Sequence, residues 1–290
     1  MKKLCLTAAI LMTAAASMAQ DHLPPVFGAD TALFRKDIMT RSYMTPKKIL
    51  WTSSATAVQN AELLLKPNTG QADIFGDGMC RLINNGNDQA SLILDFGHEL
   101  HGGFKMVISS CSPLQTPQVR LRFGESVSET CTELNTTKSI AETGSKADVN
   151  LKANTATNDH AIRDMVLTVP FYGQMEVGST GYRFVRIDLL TPGQTINLKE
   201  ATAILRYRDI PYVGSFRCSD QRLNDIWMTG AYTVHLNMQE YIWDGVKRDR
   251  LVWLGDMHPE TTTISNVFGD NESFYASMDL ACQQYPLPAW

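Results

Sequence analysis

Asp244 to Asp256 is a short run that holds three carboxylates (Asp244, Asp249, Asp256), three cations (Lys247, Arg248, Arg250) and Trp253. A solvated loop has no use for Leu251 and Trp253 at its centre. A core segment can take that many charges only if they pair or line a cavity. Carboxylates beside fixed cations, with an aromatic platform, are what a sugar-cleaving pocket requires. The competing reading of the same charges is an ion-pair network at the start of a helix. Elsewhere, His98 and His101 flank Glu99, and His160 follows Asn158-Asp159. Neither group has the spacing of a ligand set, so no metal and no cofactor is expected. Glu125, at a strand end, is expected to pair with Arg122, and Trp227 and Trp243 are expected to pack in a core.

The elements that must position this run change character along the chain. From about Ser91 to Asp209 the dominant period is two. Leu92 and Leu94, Phe104 to Ser109, Val119-Leu121-Phe123, Met165-Leu167-Val169, Val185-Ile187-Leu189 and Ile204 to Tyr207 read as half-buried strands. Gly97, Gly102-Gly103, Gly173, Gly178, Gly181 and Pro192-Gly193 read as the turns between them. Strands at short intervals without helices predict an antiparallel, jelly-roll-like β-sandwich. A polar excursion over 129–158 interrupts the alternation. After about residue 213 the period becomes helical. Ser219 and Asp220 can cap a helix whose face is Leu223, Ile226, Trp227, Val234 and Met238, and Thr261–Phe268 and Ser273–Gln284 continue the pattern. The expected organisation is a signal segment over 1–19, a sandwich over 20–213 and an α-helical part over 214–290. At ordinary helix lengths the last part holds about three or four helices.

Composition narrows the function further. The chain has 290 residues with a formal net charge of −4 and no Lys/Arg block. A nucleic-acid partner is therefore not expected. Lys2-Lys3, the apolar stretch Leu4–Ala16 and the small residues Ser17 and Ala19 form a secretory signal, with cleavage expected after Ala19 and export to the periplasm or beyond. No later stretch stays apolar for the ~20 residues that a membrane helix needs. After that cleavage Cys80, Cys111, Cys131, Cys218 and Cys282 remain. An odd number at irregular spacing is no disulfide framework, so they read as small buried apolar residues, with Cys111–Cys131 a conceivable bridge.

Several motifs together resemble the N-terminal part of the bacterial α-L-rhamnosidases of glycoside hydrolase family 78. They are Leu94-Asp95-Phe96-Gly97-His98-Glu99-Leu100-His101-Gly102-Gly103, Arg122-Phe123-Gly124-Glu125-Ser126, Gly181-Tyr182-Arg183-Phe184-Val185-Arg186-Ile187, and Gly214-Ser215-Phe216-Arg217-Cys218-Ser219-Asp220. The run from Asp244 to Asp256 is similar to the family's active-site motif, Asp-x-x-x-Arg-(Asp)-Glu-Arg-x-x-Trp-x-Gly-Asp. The resemblance implies that the helical part opens an (α/α)6 six-hairpin barrel, and that the complete enzyme hydrolyses terminal α-L-rhamnosyl linkages with inversion. It implies Asp249 as general acid, where the family has Glu, with Glu260 as the alternative donor. It further implies Asp244 and Asp256 as grips for sugar hydroxyls, Arg248 as the cation beside them and Trp253 as the stacking platform, with His258 near enough to join. The partner is then a rhamnose-containing oligosaccharide or glycoside. No residue here matches the family's general base, so the 290 residues read as an inactive fragment with an incomplete barrel. The alternative from another class is a non-catalytic carbohydrate-binding sandwich.

Overall fold

The computed structural model describes Val26 and residues 37–73, 78–131, 164–269 and 272–284. The expected signal segment, His160 and most of the polar excursion lie outside the described residues. Met39–Trp290 make up one compact unit. It contains an antiparallel, sheet-rich part followed by helices, as the change of period implies.

Nine strands are described: β1 (Thr40–Met44), β2 (Lys48–Thr52), β3 (Val58–Gln59), β4 (Cys80–Asn84), β5 (Ser91–Ser112), β6 (Gln118–Gly124), β7 (Asp164–Thr168), β8 (Gly173–Leu189) and β9 (Gln194–Tyr207). All pair antiparallel within one hydrogen-bonded sheet, in the order β3-β4-β9-β5-β8-β6-β7, with β1 beside β9 and β2 beside β5. The long strands change partners along their length. The start of β5 lies between β2 and β8, and its second half lies between β8 and β9. A sheet whose central strands change neighbours in this way curls, and its inward faces close on one core. Leu92, Leu94, Phe104 and Met106 of β5, Val119, Leu121 and Phe123 of β6, Tyr182, Val185 and Ile187 of β8, and Ile196, Leu198 and Ala203 of β9 share that core. Phe96, Phe104, Phe123 and Tyr182 meet edge to face at its centre, with ring centroids 5.0 to 6.3 Å apart.

Two details differ from the reading of the sequence. Strands β1 to β4 precede the region of clear alternation; β3 has only two residues, too few to show a period. In addition, Gly97, Gly102-Gly103, Gly178 and Gly181 are not turns. They lie inside β5 and β8, where the pairing register shifts between Asp95 and Leu100 and again between Gly102 and Phe104. These are bulges, which bend a strand instead of ending it. Gly102 has φ +147°, and a Cβ there would stand 1.9 Å from the Ile204 carbonyl oxygen. Only glycine lets β5 bend this close to β9.

The sheet face opposite the core carries a buried ion pair. Arg122 bonds Asp188 at 3.0 Å, and Ser91 and Arg186 donate to the same carboxylate. Arg122 thus pairs across the sheet with Asp188, not along the chain with Glu125. Burial alone would raise the Asp188 pKa, but the three donors outweigh it and hold the carboxyl below its ordinary value. The conceivable Cys111–Cys131 bridge is absent: all five described cysteines are free thiols. Cys80 and Cys111 are buried, whereas Cys131 and Cys282 are exposed and Cys218 is partly exposed.

Helix α1 (Val127–Cys131) follows β6. Three longer helices come after the sheet: α2 (Gln221–Asn237), α3 (Met257–Val267) and α4 (Glu272–Gln284). Asp220 caps α2, accepting from the Arg222 N–H at 2.9 Å. The helices share a second apolar cluster of Ala231, Met238, Ile242, Met257, Ile264 and Val267, with Trp227 and Val234 packed against it. The predicted face of α2 is only partly buried. Leu223 and Ile226, in its first two turns, are 48% and 58% exposed. Among the described residues no helix is long and apolar enough to cross a membrane.

Candidate active site

The segment between α2 and α3 has no regular structure of its own, so its shape must come from neighbours. Its two ends are tied together: the Asp244 N–H donates to the Leu251 carbonyl at 3.0 Å, and the Leu251 N–H donates to Asp244 Oδ1 at 2.9 Å. The turn closed by this clasp contains Asp249 and Arg250 with φ of 47° and 54°, the left-handed region that residues other than glycine rarely enter.

Sheet residues hold the segment from below. Arg208, just after β9, donates to the carbonyls of Gln239 and Glu240 at 2.8 and 3.2 Å. The Arg250 guanidinium donates to the Ser179 carbonyl of β8 at 2.9 Å. The Tyr232 hydroxyl of α2 donates to the Glu99 carbonyl of β5 at 2.5 Å. Trp243 stands edge-on to the buried His101 ring, 5.3 Å between centroids, which is the packing role expected for it. Both ring nitrogens of His101 lack a hydrogen-bond partner. Burial, with Arg250 and Arg206 nearby, pulls its pKa down to about 4, so the ring is neutral at physiological pH.

Three of the sequence-derived site carboxylates converge. Glu260, on the first turn of α3, is buried at 9% exposure. Its pKa is pushed up to about 7, first by burial and then by the negative charges of Asp256 and Asp244. Asp256 stands at the N-terminal cap position of α3, but its side chain makes no capping bond and is exposed. Trp253, 57% exposed, has its indole lying by Gly255, where a Cβ would be 3.4 Å from Nε1. No ion pair joins Asp244, Asp256 or Glu260 to a cation among the described residues. The arrangement is therefore not a closed salt-bridge network. It is a carboxylate group with one protonatable member, and the exposed Trp253 ring lies by Gly255, next to Asp256 in the chain.

The remaining site candidates are exposed. Arg248 and Asp249 are exposed on the positive-φ turn, and Asp249 is not among the charges that raise Glu260. His258 is exposed on α3. Among the described residues no cluster of His, Cys, Asp or Glu is arranged to hold a metal ion.

One feature of the site was not legible in the residue spacing. Lys247 is 2% exposed and donates to Glu129 Oε2 at 2.5 Å. Glu129 also accepts from the Glu125 N–H at 2.6 Å, and the Glu99 carboxyl feels the charges of Glu125, Glu129 and Lys247. Three glutamates, Glu99 of β5, the exposed Glu125 after β6 and Glu129 of α1, thus cluster here, and Glu129 is the one bonded to the Lys247 ammonium. The only signal was that two of them, Glu99 and Glu125, stand in the motifs Phe96-Gly97-His98-Glu99 and Phe123-Gly124-Glu125.

Comparison with known proteins bears on the fold and on the helical part. Residues 211–285 match the family model described as the bacterial alpha-L-rhamnosidase 6 hairpin glycosidase domain. The rhamnosidase from Klebsiella oxytoca, solved with rhamnose bound, is similar in fold, with a TM-score of 0.61 at 17% identity over 84% of this chain and 44% of that one. The family 78 rhamnosidase of Bacillus sp. GL1 aligns with a TM-score of 0.53 at 18% identity, over 80% of this chain and 22% of that one. This chain therefore spans less than half the length of either structure. No curated protein matches it. The resemblance read from the Asp244–Asp256 motif holds both in the family model and in the fold.

Proposed function

We propose that this chain forms the sandwich and the opening helices of an inverting glycoside hydrolase that removes terminal α-L-rhamnosyl units from a glycoside or oligosaccharide. The observation that carries the reading is Glu260, a buried carboxyl raised to about 7 beside two further carboxylates, with the exposed Trp253 in the run before it. A group poised near neutral pH is suited to protonate a leaving oxygen, and burial among like charges is a recognised way to achieve it. Of the two candidate acids, the geometry favours Glu260 over Asp249, which sits on an exposed turn. Asp244 and Asp256 supply acceptors for sugar hydroxyls, and Trp253 supplies a platform for the sugar's apolar face. Arg248 supplies positive charge at the rim. Inversion also needs a carboxylate ~6.5–9.5 Å across the sugar to activate water. No residue of this sequence matches the family's base in that role, so the 290 residues alone are proposed to bind rhamnose weakly and turn it over negligibly. Export with cleavage after Ala19 is part of the same proposal.

The test is titration of purified protein with L-rhamnose, together with release of 4-nitrophenol from its α-L-rhamnoside. Binding that is lost in Trp253→Ala, with little turnover, supports the reading. Binding that survives removal of residues 214–290 would instead assign a carbohydrate-binding role to the sandwich. No binding at millimolar sugar overturns both.

A further inference from the structure

We propose that Lys247 is a positioning residue: anchored on Glu129 of α1 and seated against β8, it holds the Asp244–Asp256 segment in the shape that brings Asp244 and Asp256 to Glu260. What is positioned rests on the glycosidase reading; the anchoring does not.

The geometry carries this on three counts. First, Lys247 points away from the sugar side and into the sheet, with its ammonium on Glu129. It lies in the loop closed by the Asp244–Leu251 clasp, so fixing Lys247 limits how that loop can shift. Second, the sheet is shaped to receive it. A Cβ on Gly181 of β8 would lie 2.6 Å from Val246 Cγ2 and 3.1 Å from both Lys247 Cβ and Glu99 Oε1. Glycine at 181 lets Val246 and Lys247 lie directly on the strand. Third, the charge is unbalanced for a merely structural pair. The carboxylates of Glu129 and Glu99, with Glu125 beside Glu129, outnumber the one ammonium, so burial and like charge favour a proton on Glu99. A buried charge group of this kind is a poor way to gain stability compared with apolar packing, and it is better suited to selecting one arrangement.

The same proton makes the anchor pH-sensitive. Burial first, then Glu125, raises Glu99 to about 8, with Glu129 adding to the rise and Lys247 opposing it. Around Glu99 stand Glu125, Glu129 and Lys247, with Tyr232 of α2 on its carbonyl and the His98 ring against Tyr232. Above about pH 8 the cluster gains a further negative charge, and Glu99 and Glu125 repel.

Amide hydrogen exchange on the full chain tests the anchor without a ligand, and rhamnose titration reads the function separately. The variants are Glu129→Gln, Lys247→Met and the double variant, which removes both charges of the Lys247–Glu129 pair. Expected is at least about tenfold faster exchange at Asp244 and Leu251 in all three, with Leu94 and Val185 of the sheet unchanged in the double variant. In the wild type, protection at 244 and 251 should fall above pH 8 after correction for intrinsic rates. Rhamnose affinity should fall in parallel. If the double variant keeps wild-type protection at 244 and 251, the pair is only structural and the proposal fails. If the wild type binds no rhamnose, the glycosidase reading fails while the exchange data still decide the anchor.

Discussion

Glu260 offers the sharpest test, because its environment fixes both a titration midpoint and a stability profile. With a midpoint of about 7, it is about nine-tenths protonated at pH 6 and about one-tenth at pH 8. Asp256→Asn and Asp244→Asn each remove a charge that raises the midpoint, so each lowers it. The linkage has a definite sign. The folded state holds this proton more tightly than the unfolded chain, whose carboxyl titrates near 4.5. Stability is therefore full below pH 4.5 and is lost as pH rises to about 7. A displacement of this size corresponds to about 3 kcal/mol. Screening at a carboxyl that keeps some solvent contact cuts it to about 1–2 kcal/mol. Glu260→Gln, a neutral mimic of the protonated form, should match the wild type at pH 4 and exceed it by that amount at pH 8. The assay is a carbon-13 NMR titration of the glutamate carboxyls, with denaturation midpoints at both pH values. A Glu260 midpoint near 4.5, or one unmoved in Asp256→Asn, would refute the reasoning.

Other expected outcomes follow from the fold and the rim of the site. Trp253→Ala should leave the melting temperature within about 1 °C of wild type, because the ring is largely exposed, while weakening rhamnose binding by about tenfold in calorimetry. Asp188→Ala removes the buried carboxylate that Ser91, Arg122 and Arg186 share and should cost about 3–5 kcal/mol in urea unfolding. Gly102→Ala forces a Cβ against the Ile204 carbonyl and should cost more than about 3 kcal/mol, read as loss of soluble protein. Asp244→Ala opens the Asp244–Leu251 clasp and should speed tryptic cleavage after Arg248 and Arg250, followed by mass spectrometry.

Much of this protein was legible in its residues. The alternation of Val119-Leu121-Phe123 and Val185-Ile187-Leu189 set strands with one apolar face, because side chains in a strand point alternately to either side. The spacing of Trp227, Val234 and Met238 behind the Asp220 cap set a helix for the equivalent reason. The motif from Asp244 to Asp256 pointed to the site, since its residue types are costly anywhere else. Periodicity is local, however, and the features it missed depend on what lies across the sheet. It could not tell that Gly97 and Gly102 bend one strand instead of separating two, since a bulge is defined by the register of its partner. It paired Arg122 with Glu125, the near neighbour in sequence, where cross-strand geometry supplies Asp188. It did not separate Glu260 from Asp249, because a carboxyl's proton affinity is set by burial and by charges distant in the chain. Nor could it see Lys247 turned inward onto Glu129, a residue of a separate element. The sequence by itself determined the strands of clear alternation and the longer helices, and it singled out the run proposed to carry the chemistry. Only the tertiary structure decided which carboxyl holds a proton near neutrality and what keeps the run in shape, because both are sums over neighbours that the chain brings together by folding.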